Sequence, residues 1–283
     1  MEPGALRIVT LNLWGEQGPL DRRWPAVVAG LRALDPDVVL LQEVRQIEGK
    51  LPNQAAALAG ALGLAHTFAP TVAWGGGDEG LAILCRHPLD GVTATPLPHA
   101  TAQERRILLG ATARTPDGPV GLFTTHLNYR LGDGQKREDQ IVAAERAVAA
   151  HAAPVKIWGG DFNAAPDSDE VRWLRGLRSV VVDGVARRVY YQDAFLLRRP
   201  DQPGHTWSAA NPHTGALAWL EPNRRIDYLF VSHMNRDGSG AVLDARVALD
   251  QPLDGVLPSD HYAVVAEVRV APRAAVDGGD GGA

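Results

Sequence analysis

Among its 283 residues the chain has one cysteine, Cys85, and two methionines. A lone cysteine excludes an intrachain disulfide and any thiolate metal cluster. No apolar stretch approaches the roughly 20 residues that span a bilayer. The opening, Met1-Glu2-Pro3-Gly4 running into Leu6-Arg7-Ile8-Val9-Thr10, lacks the basic, apolar and small-residue succession of a secretory leader. A cytoplasmic protein without a transmembrane segment is the expectation. Positive charge is also scarce: a formal charge of -5 and a pI near 6.0 argue against a broad basic face for long nucleic acid, although a local basic cleft stays open. The glycine loop Trp74-Gly75-Gly76-Gly77-Asp78-Glu79-Gly80 lacks the lysine and Ser/Thr of a phosphate-binding P-loop, and it reads as a mobile rim.

What is present is a soluble globular composition, 45% hydrophobic and 22% charged. Apolar runs alternate with helical patterns, and no linker interrupts them. We therefore expect one α/β domain over residues 1–272 and a disordered Gly- and Asp-rich tail over 273–283. Strands are predicted at 7–13, 38–44, 81–85, 105–113, 120–128, 155–161, 224–231 and 263–268, with shorter ones at 180–182 and 205–208, and helices at 24–34, 53–62 and 135–152. Asp167, three residues before Glu170, has capping-box spacing for a further short helix. Asp193 reads as the cap of a turn or helix.

Polar residues collect where the apolar runs stop or start: Asn12, Glu43, His126, Asp161, Asn163, Asp227, Asp260 and His261. One such strand end is ordinary, but loops at one edge of a layered α/β fold bring distant residues into one crevice. Carboxylate and amide oxygens without cysteine suit a hard cation such as Mg²⁺. Taken singly, Asp161 and Asn163 are also common turn formers, and Asn12 reads either as a strand-end amide or as a ligand.

Seven motifs, in order, carry a resemblance: Leu11-Asn12-Leu13-Trp14, Gln42-Glu43-Val44, Gly80 to Leu84 before Arg86, Thr125-His126-Leu127, Gly160-Asp161-Phe162-Asn163, Arg225-Ile226-Asp227-Tyr228 and Ser259-Asp260-His261. The set resembles the endonuclease/exonuclease/phosphatase superfamily of metal-dependent phosphoesterases. That resemblance implies a four-layer α/β sandwich, with two mixed sheets face to face and helices outside. It also implies Mg²⁺, with Mn²⁺ as a substitute, held by Glu43 with help from Asn12 and Asp260. His261 paired with Asp227 resembles the family's dyad, Asp161 and Asn163 face the nucleophile or leaving group, and His126 donates to a phosphate oxygen.

On substrate the motifs divide. Gln42-Glu43-Val44-Arg45 departs from the Gln-Glu-Thr-Lys usual in abasic endonucleases. Thr125-His126-Leu127-Asn128 followed by Arg137 and Gln140 looks like the sphingomyelinase, deadenylase and small phosphodiesterase branch. The leading expectation is a monomeric hydrolase of a small-molecule or lipid-headgroup phosphoester, using in-line attack by water. A nuclease on DNA or RNA is the alternative, and an inactive binding module with a broken site is a third reading.

Overall fold

The computed structural model of the protein describes residues 2–182 and 184–272, so the expected tail lies outside the described residues. In chain order the strands are β1 (Ala5–Asn12), β2 (Val38–Ile47), β3 (Ala65–Trp74), β4 (Gly77–Cys85), β5 (Leu89–Pro96), β6 (Ile107–Thr115) and β7 (Gly118–His126). They continue as β8 (Val155–Asp161), β9 (Val180–Val182), β10 (Val185–Arg187), β11 (Tyr191–Asp193), β12 (Asp227–Ser232), β13 (Val242–Ala248) and β14 (Ala263–Arg269). The helices are α1 (Leu20–Leu34), α2 (Gln54–Leu62), α3 (Gly134–Ala150), α4 (Asp169–Leu174) and α5 (Ala194–Arg198).

Two six-stranded sheets, ordered β13-β14-β1-β2-β4-β3 and β11-β12-β8-β7-β6-β5, hold all strands but the β9–β10 ribbon. Each is built around one parallel pair, β1 with β2 and β7 with β8. The period-2 alternation of strands explains the layering. Leu6 and Ile8 of β1, Leu40 of β2, Ile157 of β8 and Leu229 of β12 pack between the sheets. Their alternates Val9, Leu11, Val39 and Leu41 face α1 and α2, while Trp158, Tyr228 and Phe230 join Ile141 of α3 and Trp173 of α4 on the other outer face. The four-layer sandwich expected from the motifs is the observed fold.

The differences from expectation have local causes. Of the strands in the two large sheets, β3, β5, β11 and β13 are not among those predicted, and all four lie at sheet edges. β3 and β5 are largely exposed, so neither carries an apolar stripe to read. The Trp74–Gly80 stretch, expected as a rim loop, is committed to the β3–β4 hairpin, which turns at Gly75 and Gly76, both at positive φ. Helix α1 starts four residues early, because the Pro19 carbonyl collects the amides of Arg22 and Arg23. The Asp167 capping box does not form: Ser168 is the N-cap residue, and Glu170 turns inward to accept from Arg137 Nε at 2.6 Å.

Asp193 does cap a helix, accepting the Leu196 amide at the start of α5. It also receives both terminal nitrogens of Arg225 at 2.9 Å, with each side chain 3% exposed. Removing one member of a buried ion pair strands the other charge in the core. We expect Arg225→Ala to lower unfolding stability by about 3–5 kcal/mol, read as the shift of a urea midpoint at unchanged slope. A loss below about 1 kcal/mol would show that water or a neighbour satisfies Asp193 instead.

Candidate active site

Parallel strands end at the same side of a sheet, so the C-terminal ends of β1, β2, β7 and β8 share one rim with the entries to β12 and β14. Asn12 closes β1, His126 closes β7 and Asp161 closes β8, while Asp227 opens β12 and His261 precedes β14. Asp161 is register partner to both His126 and Asp227. Glu43 is turned into the same space by a break in the β2–β4 ladder between Leu41 and Val44, where its own φ is 51°. Bulges re-aim side chains in this way. Trp14 (φ 56°) and Asn163 (φ 49°) also adopt left-handed backbone here, a concentration of strain typical of functional sites.

Gly160 lets the last turn of β8 come close. A Cβ on it would meet the Thr125 carbonyl oxygen at 2.0 Å, and its φ is 149°. Only glycine fits between β7 and the Asp161 backbone.

The side chains converge on Asp161. Its Oδ1 accepts the Asn163 amide at 2.9 Å, and its Oδ2 accepts Asn12 Nδ2 at 3.1 Å. The same Oδ2 lies 3.5 Å from His126 Nε2 and 3.8 Å from His261 Nε2. His261 Nδ1 is bonded to Asp227 Oδ2 at 2.9 Å. The Asp227 amide and that of Ile226 donate to Thr206 Oγ1, which fixes the entry of β12.

Electrostatics separate the two imidazoles. Burial, with Arg106 and His261 adding to it, holds His126 well below its ordinary pKa. Burial opposes charge on His261 too, but Asp227, Asp161 and Asp260 together outweigh it and hold the ring well above its ordinary value. Burial and the neighbouring Asp227 charge push Asp161 up to about 6, against the pull of His261, the Asn163 amide and Asn12. At neutral pH one carboxylate thus sits between a charged donor and a neutral ring.

Glu43 and Asp260 form the opposite wall. Glu43 is pushed up to about 8, by burial first and then by the charges of Glu79 and Asp260. Its one hydrogen bond is from Asn12 Nδ2 at 3.0 Å. Half-buried carboxylates facing one another in an all-oxygen donor set fit the Mg²⁺ that the fold implies. Asn12 contributes chiefly by position: its Oδ1 accepts the Trp14 amide at 2.9 Å, and its Nδ2 bridges Glu43 to Asp161. Ligand atoms of Asp161, Asp227 and His261 also lie within 4.8 Å of one another. His261 Nδ1 is already committed to Asp227, however, whereas Glu43 with Asp260 could hold a cation without breaking that bond.

All eight predicted residues therefore meet at one rim, and all but the fully buried Asn12 and Asp227 line a cleft of about 970 Å³. Two participants escaped the sequence. Arg23 of α1 is buried and donates to the carbonyls of Leu13, Gln17 and Pro258, tying the β1–α1 loop to the segment before Asp260. On a helix it looks like any surface arginine. Glu79 at the start of β4 faces Glu43 and accepts from Trp74 Nε1 at 3.0 Å. An acid beside Gly80 was its only signal.

The chain matches the family model described as Endonuclease/Exonuclease/phosphatase family over residues 9–261. It belongs to that family. Among solved structures it is similar to an endonuclease/exonuclease/phosphatase from Beutenbergia cavernae DSM 12333, with 24% identity, a TM-score of 0.71 and coverage of 94% of this chain and 72% of that one. It is also similar to D. rerio TDP2 complexed with single strand DNA product, at 20% identity, TM-score 0.73 and coverage of 93% and 98%. Truncated Caenorhabditis elegans TDP2 aligns at 20% identity, TM-score 0.69 and coverage of 94% and 98%. No curated protein matches the chain. At these identities the structural likenesses establish the fold.

Because Glu43 faces like charges, Glu43→Gln should stabilise the protein by about 1–2 kcal/mol at pH 8 in EDTA. The same variant should lose the rise in melting temperature that Mg²⁺ gives the unmutated protein. Thermal denaturation with and without Mg²⁺ reads both effects, and an undiminished Mg²⁺ response in the variant would remove Glu43 from the cation seat.

Proposed function

We propose that the protein is a Mg²⁺-dependent phosphoester hydrolase, with Mn²⁺ as a substitute, that cleaves a small-molecule or lipid-headgroup phosphoester by in-line attack of water. The observation that carries this reading is Asp161 Oδ2, poised between the Nε2 atoms of His126 and His261 and facing Glu43 across the cleft. A divalent cation bound by Glu43 and Asp260 would supply stabilisation of charge on the phosphate oxygens.

The remaining chemistry belongs to the chain's own groups. Asp227 fixes His261 in one tautomer and supports its positive form, so Nε2 donates toward the phosphate. His126 presents a second imidazole to a non-bridging oxygen. Asp161, with Oδ1 occupied by the Asn163 amide, uses Oδ2 to orient the attacking water or to handle the leaving-group proton. Asn163 Nδ2 donates to the Leu127 carbonyl at 3.2 Å, which locks the Asp161 turn against the end of β7. Among the described residues no serine or cysteine lines the cleft, so direct displacement needs no covalent enzyme intermediate. One chain supplies every residue named, in keeping with a monomer. No helix among the described residues is long and apolar enough to cross a membrane, and a cytoplasmic location is part of the proposal.

A strand of nucleic acid is the second reading, because the cleft is lined by Trp14, Trp74, Tyr129 and Trp207 together with several arginines, a combination suited to bases and phosphates. The likeness to a TDP2 structure containing single strand DNA product supports keeping it.

With bis-p-nitrophenyl phosphate we expect turnover that requires Mg²⁺ and stops in EDTA. Asp161→Asn and His261→Ala should each lower kcat by about 10²–10⁴-fold while melting temperatures stay within a few degrees. Retention of full activity in either variant would sink the assignment. Failure to turn over this diester, p-nitrophenyl phosphate, sphingomyelin, inositol phosphates or DNA would favour the inactive binding module.

A further inference from the structure

Beyond the reacting centre the cleft has a wall whose sign is opposite to that of the protein as a whole. The β5–β6 connection brings Arg105 and Arg106, the β7–α3 connection brings Arg130, and the first turn of α3 brings Lys136, to the same cleft. Glu104 accepts from Arg106 at 3.0 Å and lies 3.5 Å from Arg130, so one carboxylate holds two guanidinium groups side by side. Asp133 pairs with Lys136 at 3.0 Å. Four cations thus face two carboxylates on a chain of formal charge -5. Arg105 is exposed, and among the described residues its guanidinium has no hydrogen-bond or ion-pair partner. Exposed Tyr129 stands on the same wall, with the Arg130 guanidinium 5.1 Å from its ring centre.

A phosphoester with a single phosphate has no need of this wall, since the reacting centre already supplies His126, His261 and the cation seat. We propose that Arg105, Arg106, Arg130 and Lys136 form a subsite for a second phosphate of the substrate, adjoining the one that is hydrolysed. The inference rests on the hydrolase reading and narrows it. It selects phosphoesters carrying two or more phosphates, such as a nucleoside bisphosphate or a short single strand, and it disfavours headgroups that end in a cation such as choline. Tyr129 offers a flat face for a base attached to that second phosphate. The chemistry common to the two sources is a phosphate pair joined by a short linker.

The test compares thymidine 5′-(p-nitrophenyl phosphate), which has one phosphate, with its 3′-phosphorylated form, which has two. We expect the second to have the higher kcat/KM. The double variant Arg105→Glu/Arg130→Glu, at exposed positions where folding is not at stake, should lose at least tenfold more on the two-phosphate ester than on the one-phosphate ester. Arg105→Ala alone should show a smaller loss of the same pattern. Equal losses on both esters, or no preference in the unmutated enzyme, would overturn the proposal.

Binding of fluorescein-labelled pentathymidylate, followed by anisotropy in Ca²⁺ or EDTA, reads the wall without turnover. The double variant should bind at least tenfold more weakly, and its log–log salt dependence should be shallower by about 0.7 for each phosphate that the wall no longer neutralises. Unchanged binding and unchanged slope would also overturn the proposal. Tighter binding of the pentanucleotide than of the two-phosphate ester points to a strand, and equal affinity points to a bisphosphate small molecule. A protein that binds in this way but hydrolyses neither ester nor bis-p-nitrophenyl phosphate would refute the hydrolase reading while leaving the subsite standing.

Discussion

The Asn12 amide holds the two halves of the molecule in register at the rim. One sheet carries Asn12 and Glu43, the other carries His126, Asp161 and Asp227, and the core between them is made of Leu, Ile, Val and Ala side chains that tolerate small sliding. Apolar burial is non-directional, so it cannot by itself place Glu43 against Asp161 to within a fraction of an ångström. The two hydrogens on Asn12 Nδ2 reach one carboxylate in each sheet. Gln42 repeats the arrangement one layer deeper, donating to Thr10 within its own sheet and at 2.8 Å to Thr124 of the facing one. Directional contacts at the rim thus do what the core cannot.

The same rim concentrates negative charge. Asp161, Asp227, Glu43, Glu79 and Asp260 approach one another with the His261 imidazolium and the buried Arg23 as their compensation. Burial lowers Arg23 to about 10, while Asp260 and Glu43 pull the other way. Arg23 is one cation against several acids, and its donors are spent on three carbonyls of two segments, the β1–α1 loop and the stretch before Asp260. The result is a crevice whose uncompensated negative charge is unfavourable to assemble, the usual exchange of stability for function.

Much of this was legible in the sequence, and the reason is geometric. Central strands are apolar on both faces, so their runs end visibly, and a fold that gathers strand ends at one rim turns those endings into a roster of site residues. Glu43, Asp161 and His126 could be found in this way. The edges could not: β3 and β5 owe their conformation to the ladder beside them, which local composition does not record. Arg23 was hidden for a related reason, and so was the inward turn of Arg137. Each lies on a helix where arginine is ordinary, yet each turns inward, Arg137 to Glu170 and to the carbonyls of Asn128 and Arg130. Inward arginines of this kind are specified by what the helix packs against, and that is known only once distant segments have met.

The position of β1 bears on when the protein can become active during its synthesis. That strand lies between β2, which follows it closely in the chain, and β14, with Ala5 opposite Arg269. A chain emerging from the ribosome would have β1 paired with β2 on one side and open on the other until β14 arrives, with backbone donors and acceptors exposed along Leu6 to Thr10. Asp260 and His261 arrive with the strand that closes this gap. The nascent chain therefore cannot assemble the full crevice before this sheet is complete, and the edge most prone to wrong pairing is covered by the segment that also delivers His261.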